Sequence, residues 1–470
     1  MAKTGGLADV AAALPVALRD AGVDMRLIMP AYPLALSALS EAQPVCSLGD
    51  VHQRGETRVL AAQTPDSGLT LYLIANEAMF ARDGEPYQDA GGQAWADNAD
   101  RFALFCAAVS LFAQRDDADW RPDVIHCNDW HTGLIPALCT VSAGAGKGTV
   151  PAHILTIHNA AFQEPLSTKQ FGSYGVPSAA FSSDLVAQPS FLAVGIKSAR
   201  RITTVSPTYA KELQTPEFGV GLERLIAARA SVLSGIVNGI DETAWNPRED
   251  AAIAQNYDEN DFSGKAICKL ALLEEFGLFS DDRAPLLGCV SRLTWQKGID
   301  VLLECLPELL RDGARFVLLG TGDSALESRL TQLAQQFPRE AAVRIAYDEQ
   351  QAHRVVAGAD VFVMPSRFEP CGLNQMYSQR YGTVPVVNPV GGLADTVIDV
   401  MSGPAAAATG FCLPSLGTEN LAATIREALL RRRDTDVWRL LQCNGMLADF
   451  GWARSARAYR EVYDSALSPH

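Results

Sequence analysis

The chain has 470 residues, 48% hydrophobic and 20% charged, with 39 Lys and Arg against 54 Asp and Glu for a formal net charge of −15. That length exceeds one ordinary core and sets a prior of two domains or slightly more. The acidic balance argues against a nucleic-acid or anionic-membrane surface, since both need a clustered positive field. Ten cysteines are spread singly, without a Cys-x-x-Cys pair, and read as reduced buried thiols of a cytoplasmic protein. The apolar run 102–113 is too short to span a bilayer, and Met1-Ala2-Lys3 shows no signal peptide.

Taken in chain order, Leu7, Val10, Leu14 and Leu18 recur at helical spacing, and Gly22 stops that helix before a strand over 25–29. Further strands are predicted over 69–75, 124–127, 153–157, 202–205 and 236–238, with helices between them. A polar, proline-broken stretch at 245–250 marks a boundary, and a short helix over 265–276 fits either side of it. The rhythm then restarts with strands over 286–290, 316–319, 343–346, 361–364 and 384–387. Trp452, Ala456, Tyr459 and Val462 form one stripe of a last helix that is expected to pack back on the first domain. Short β-branched runs alternating with amphipathic stretches predict an α/β protein of two doubly wound Rossmann-like domains, residues 1–245 and 246–450, with 451–470 as the returning helix.

The chemistry-bearing residues fall where predicted strands hand over to helices, which is where open α/β sheets bind ligands. Arg292 and Lys297 follow the strand 286–290. Cations at a helix amino end oppose its dipole, so two of them beside Gly298 point to a phosphate or diphosphate. Pro365-Ser366-Arg367-Phe368-Glu369-Pro370-Cys371-Gly372 repeats the junction after 361–364, ahead of a helix over 373–381. Glu369 there reads either as a carboxylate favourably placed at a helix amino end or as an acceptor for the hydroxyls of a hexose. The pair Gly391-Gly392 would let backbone approach a ligand closely. Gly320-Thr321-Gly322-Asp323 either faces a ribose or merely turns the chain. Tyr347 either stacks on a base or packs. In the first half, His131 and His158 read equally as structural histidines, and with no Cys-x-x-Cys pair to accompany them neither a structural nor a catalytic metal is expected.

Taken together, Lys3-Thr4-Gly5-Gly6-Leu7-Ala8-Asp9, His126-Cys127-Asn128-Asp129-Trp130-His131, Thr203-Thr204-Val205-Ser206-Pro207-Thr208-Tyr209, Asn238-Gly239-Ile240-Asp241, Ser291-Arg292-Leu293-Thr294, Arg367 to Leu373 and Gly391 to Val397 resemble the bacterial glycogen synthase and plant starch synthase family. These are retaining glucosyltransferases of the two-domain GT-B type, with two Rossmann-like domains facing a central cleft. The resemblance implies transfer of glucose from ADP-glucose to the 4-hydroxyl at the non-reducing end of an α-1,4-glucan, without metal or cofactor. It implies that Arg292 and Lys297 neutralise the departing diphosphate, that Glu369 holds the hexose and favours a cationic sugar, and that His158 contacts the glucose. Gly372 and the helix behind it, with Cys371, Leu373, Gly391 and Gly392, would cradle the donor, and Tyr347 would face adenine. Lys3, Gly5 and Gly6 would add donor contacts, while Asp9 and Asp129 would face the acceptor or cleft on closure. Two other readings remain open: a glucan-binding protein without turnover, and a retaining GT-B transferase with a small acceptor.

The sequence departs from the family pattern at Asn374 (usually threonine), at Asn388-Pro389-Val390 (usually more basic and hydroxylated) and at Ala193 (often lysine). A hydrophobic strand normally precedes the Lys-x-Gly-Gly motif, whereas here only Met1 and Ala2 do. A missing central strand is therefore expected, leaving two neighbours with unpaired edges, with a misassigned start or a truncated product as its source.

Overall fold

The computed structural model describes residues 6–39, 41–89, 91–115, 120–143, 150–182, 184–403 and 405–468, which form two compact units. No helix among them is long and apolar enough to cross a membrane. Lys3 and Gly5 lie outside the described residues.

The first unit comprises the described residues up to 205, residues 210–239 and the helix Trp452–Leu467. Its strands are β1 (Arg26–Pro30), β2 (Gln43–Asp50), β3 (Glu56–Gln63), β4 (Thr70–Ala75), β5 (Val124–Asn128), β6 (Ala152–Ile157), β7 (Arg201–Thr204) and β8 (Leu233–Gly235). They form two separate sheets. One has the order β1-β4-β3-β2, parallel between β1 and β4 and antiparallel beyond; the other has the order β5-β6-β7-β8, parallel throughout. Among the described residues β1 and β5 are each paired on one side only. Their apolar residues Leu27, Ile28, Met29, Val124 and Ile125 are accordingly only half-buried, where a parallel strand inside a sheet would be covered on both faces. The predicted strand 236–238 is corrected to Leu233–Gly235, and the hairpin β2–β3 has no counterpart in the sequence reading. β2 is an exposed edge strand, so it carries no apolar alternation to detect.

Helix Gly6–Asp20 and helix Trp452–Leu467 pack together over β6. Val10, Leu14 and Leu18 meet Trp452, Ala456, Tyr459 and Val462, with Ala152 and Ile154 beneath. His126 on β5 is tied to Tyr463 Oη at 2.8 Å, which secures the last helix to the sheet.

The second unit is residues 206–209 and 240–451. It contains β9 (Leu286–Val290), β10 (Arg315–Gly320), β11 (Ala341–Ile345), β12 (Val361–Met364), β13 (Val384–Val387) and β14 (Phe411–Cys412) in one parallel sheet of order β11-β10-β9-β12-β13-β14. The chain leaves β9 in one direction and resumes at β12 in the other, so the switch point lies between the carboxyl ends of β9 and β12.

The expected boundary at 245/246 is corrected to 239/240. Trp245 is a core residue of the second unit, stacked on His353 at 3.7 Å and on Tyr377 at 3.8 Å between ring centroids. The polar composition around it signalled a linker because the aromatic sandwich draws its other two members from residues a hundred positions away. The helix Ser263–Glu275 packs in this unit as well.

Candidate active site

β9 and β12 end side by side, and the chain beyond each carries the charged residues. After β9, Trp295–Lys297 form one 3-10 turn, and Gly298 at φ 67° starts helix Ile299–Arg311. A Cβ on Gly298 would collide with the Pro365 carbonyl, so glycine is what allows the two post-strand segments to touch. Arg367 N donates to the Gln296 carbonyl at 2.8 Å, and Gln296 Nε2 donates to the Phe368 carbonyl at 3.2 Å.

This clamp brings Lys297 and Glu369 together. Lys297 Nζ donates directly to Glu369 Oε2, and Ser366 Oγ donates to the same oxygen at 3.1 Å. Both charged side chains are largely buried. Arg292 differs: its side chain is exposed, and among the described residues no hydrogen bond or ion pair holds it. The site thus presents one free cation beside a cation already neutralised by its carboxylate.

Glu369 to Gly372 lead into helix Asn374–Arg380, with Cys371 buried and Leu373 at the N-cap position. Gly391 has φ 47°, and a Cβ there would strike the Glu369 carbonyl; Gly392 N donates to that carbonyl at 3.1 Å. The sequence reading expected the glycine pair to bring backbone close to a ligand. What it meets in this structure is the backbone of the Glu369 segment, which it fixes. Tyr347 follows β11, the outermost strand on that side, and its ring is 80% exposed.

Residues that the sequence reading gave no role complete the arrangement. Asn388 is buried and its Nδ2 donates to the Ser366 carbonyl at 2.8 Å; Asn374 Nδ2 donates to the Val290 carbonyl at 2.6 Å, the last residue of β9. Two of the departures from the family pattern therefore serve as braces of the Glu369 and Arg292 segments. Ser206 Oγ donates to the Pro370 carbonyl at 2.8 Å, and Thr208 donates through both N and Oγ1 to Asp395 at 2.8 Å. Thr208 and Ser206 sit in a motif that was visible in sequence, but a contact across 164 or more positions leaves no local signal. Ala193 is buried in helix Phe191–Ser198 of the first unit.

In the first unit, Asp129 follows β5 at φ 58° and ψ −172°, a strained backbone for a residue with a Cβ. Its Oδ1 accepts from His158 N at 2.7 Å and from Asn159 N at 3.3 Å, joining the ends of β5 and β6. Burial pushes its carboxyl up to about 7, against the lowering effect of those two N–H groups. His158 Nε2 lies 2.9 Å from Asn128 Oδ1, and burial, aided by His126 and His131, lowers the imidazole to about 3, so it is neutral at pH 7. One carboxylate oxygen of Asp129 is committed to the backbone N–H groups of His158 and Asn159. Gly6 opens helix Gly6–Asp20, exposed, with Asp9 in its first turn.

Two Rossmann-like units, one of them with the Lys297–Glu369 pair and Arg292 on the segments that follow its switch-point strands, define a glycosyltransferase of the GT-B class. Residues 1–228 match the starch synthase catalytic domain family, and residues 274–439 match the glycosyl transferases group 1 family. The chain is 47% identical over 480 residues to a glycogen synthase of Burkholderia thailandensis, covering 100% of this chain and 89% of the relative. It is 43% identical to glycogen synthase 2 of Nitrosococcus oceani, covering 99% and 95%. Among solved structures, the catalytic domain of Starch Synthase IV from Arabidopsis thaliana bound to ADP and acarbose superposes with a TM-score of 0.87 at 29% identity, over 100% of this chain and 97% of that one. The chain belongs to the glycogen synthase and starch synthase family.

Proposed function

We propose that the protein transfers glucose from ADP-glucose to the 4-hydroxyl at the non-reducing end of an α-1,4-glucan such as glycogen, with retention at the anomeric carbon. The observation that carries this reading is the Lys297–Glu369 ion pair at the β9/β12 switch point, with the exposed Arg292 on the segment that follows β9, in a chain from this family. The C1–O bond to the diphosphate breaks, a bond to the acceptor oxygen forms, and the hydroxyl proton is released. Arg292, exposed and uncommitted, meets the diphosphate first. Lys297 turns toward the oxygen on which charge builds, and Glu369, kept in place by Ser366, accepts from hexose hydroxyls and stabilises positive charge on the sugar. Removing one such preorganised group typically costs roughly 10²–10³ in turnover. Gly372, Gly391 and Gly392 hold the backbone that frames the donor, and Tyr347, exposed beyond β11, is the candidate base contact. The ADP held by the Arabidopsis starch synthase supports adenine over uracil. The proposed setting is the cytoplasm, where the ten free cysteines stay reduced.

The test is nucleotide release with glycogen as acceptor, ADP-glucose and UDP-glucose side by side, followed by β-amylase digestion of the labelled product. Faster release from ADP-glucose with label recovered as maltose supports the proposal. Glycogen binding without release, or transfer only to a small acceptor, overturns it.

A further inference from the structure

Trp295 stands out on the second unit. It lies between Arg292 and Lys297 in sequence and is 63% exposed, in a segment whose neighbours are clamped on both sides. A large indole in water is ordinarily free to move, yet this one is backed by the Arg367 guanidinium, whose carbon lies 4.5 Å from the ring centroid. Arg367 is itself fixed without help from the ring. Its Nη1 and Nη2 make a bidentate pair with Asp300 at 2.7 Å each, and Nη1 also donates to the Trp295 carbonyl at 2.7 Å. That pair holds the Asp300 carboxyl below the ordinary carboxylate range. The arginine therefore does not need the indole as an anchor; it supports the indole from behind and leaves the other face to solvent.

An aromatic face held rigid at a sugar-transfer site has an obvious complement. The C–H faces of a pyranose are apolar while its rim is hydroxylated, so it stacks on an indole and keeps its hydroxyls hydrated. A flat exposed ring is a poor partner for a diphosphate, which Arg292 and Lys297 already serve. We infer that Trp295 is a pyranose-stacking residue for the α-1,4-glucan, outside the donor pocket, with the Arg367–Asp300 pair as its support. This rests on the reading of glucan as the acceptor.

Affinity electrophoresis of the full chain in glycogen-containing native gels measures glucan binding without turnover, and initial rates give the two KM values separately. For Trp295→Ala, the glycogen dissociation constant and the glycogen KM rise roughly tenfold, the size expected for losing one aromatic stack, and the KM for ADP-glucose stays within about twofold. Trp295→Phe, which keeps a smaller ring, recovers part of the binding. Retardation of Trp295→Ala equal to that of the unaltered chain overturns the inference. So does a Trp295→Ala that raises the ADP-glucose KM and lowers Tm as much as Arg367→Ala, because the ring would then serve only the clamp. If the unaltered chain binds glycogen through Trp295 but releases no ADP, the platform stands and the proposed reaction fails.

Discussion

The two units solve the same architectural problem with different completeness. The second unit has one six-stranded sheet whose central strands β9 and β12 are buried along nearly their whole length and whose switch point carries the charged residues. The first has two four-stranded sheets, with β1 and β5 half-covered and each paired on one side only among the described residues. Side-chain chemistry follows the same division. Around Glu369 every backbone segment is pinned by a partner far away in sequence, whereas Asp129 and His158 depend on each other at the end of β5. The six-stranded unit holds a buried ion pair at its switch point, while the first unit uses Asp129 to join the ends of β5 and β6.

The largest effects should break the second unit's site without touching its fold. Glu369→Ala and Lys297→Ala are each expected to lower kcat by roughly 10²–10³, and the double variant should be far less than multiplicative because the two side chains act as a pair. Independent, multiplicative losses would separate them. Hydrogen exchange sharpens the structural half of the comparison: amides of β9 and β12 should exchange at least about a hundredfold more slowly than those of β1 and β5. Equal protection would mean that the one-sided pairing of β1 and β5 among the described residues does not matter.

Acid should find the first unit before the second. Burial lowers His126, His131 and His153 from 6.5 to about 4, and His158 to about 3. Their folded state binds fewer protons than the unfolded chain, so the stability they contribute is full above 6.5 and is lost as pH falls toward 4. Asp129, raised by burial, works the other way, costing stability as pH climbs to about 7, but it is one group against four. In the second unit burial would raise Asp250, yet the hydrogen bonds from His353 and Tyr381 bring it below its ordinary value, so its loss comes only at lower pH. Intrinsic fluorescence and exchange between pH 7 and 4 should show the first unit loosening first; simultaneous loss would count against this account. The smallest effect belongs to Asn374→Ala, which removes the brace to Val290 and should cost about 1 kcal/mol in unfolding free energy, with a several-fold rise in the KM for ADP-glucose.

Much of this was legible in sequence. β9, β12 and β13 read correctly because fully apolar runs bounded by turns are strong signals, and Arg292, Lys297 and Glu369 stood out by their place after them. The pairing of Lys297 with Glu369 was not legible, because 72 positions separate them. Nor were the roles of Asn374, Asn388 and Ser206, each of which reaches a backbone carbonyl that no local pattern marks. Trp245 misled for the same reason: its neighbours are polar, while its stacking partners are remote. The edge strand β2 left no pattern because none of its residues is fully buried.

The central claim is that Glu369 is one wall of a sugar-diphosphate site supplied by ADP-glucose. Its most direct test is ADP release with glycogen, measured for the unaltered chain and for Glu369→Ala, with UDP-glucose as the parallel donor. The account predicts release from ADP-glucose that exceeds release from UDP-glucose and falls by roughly 10²–10³ in the variant. Turnover left unchanged by Glu369→Ala would contradict it.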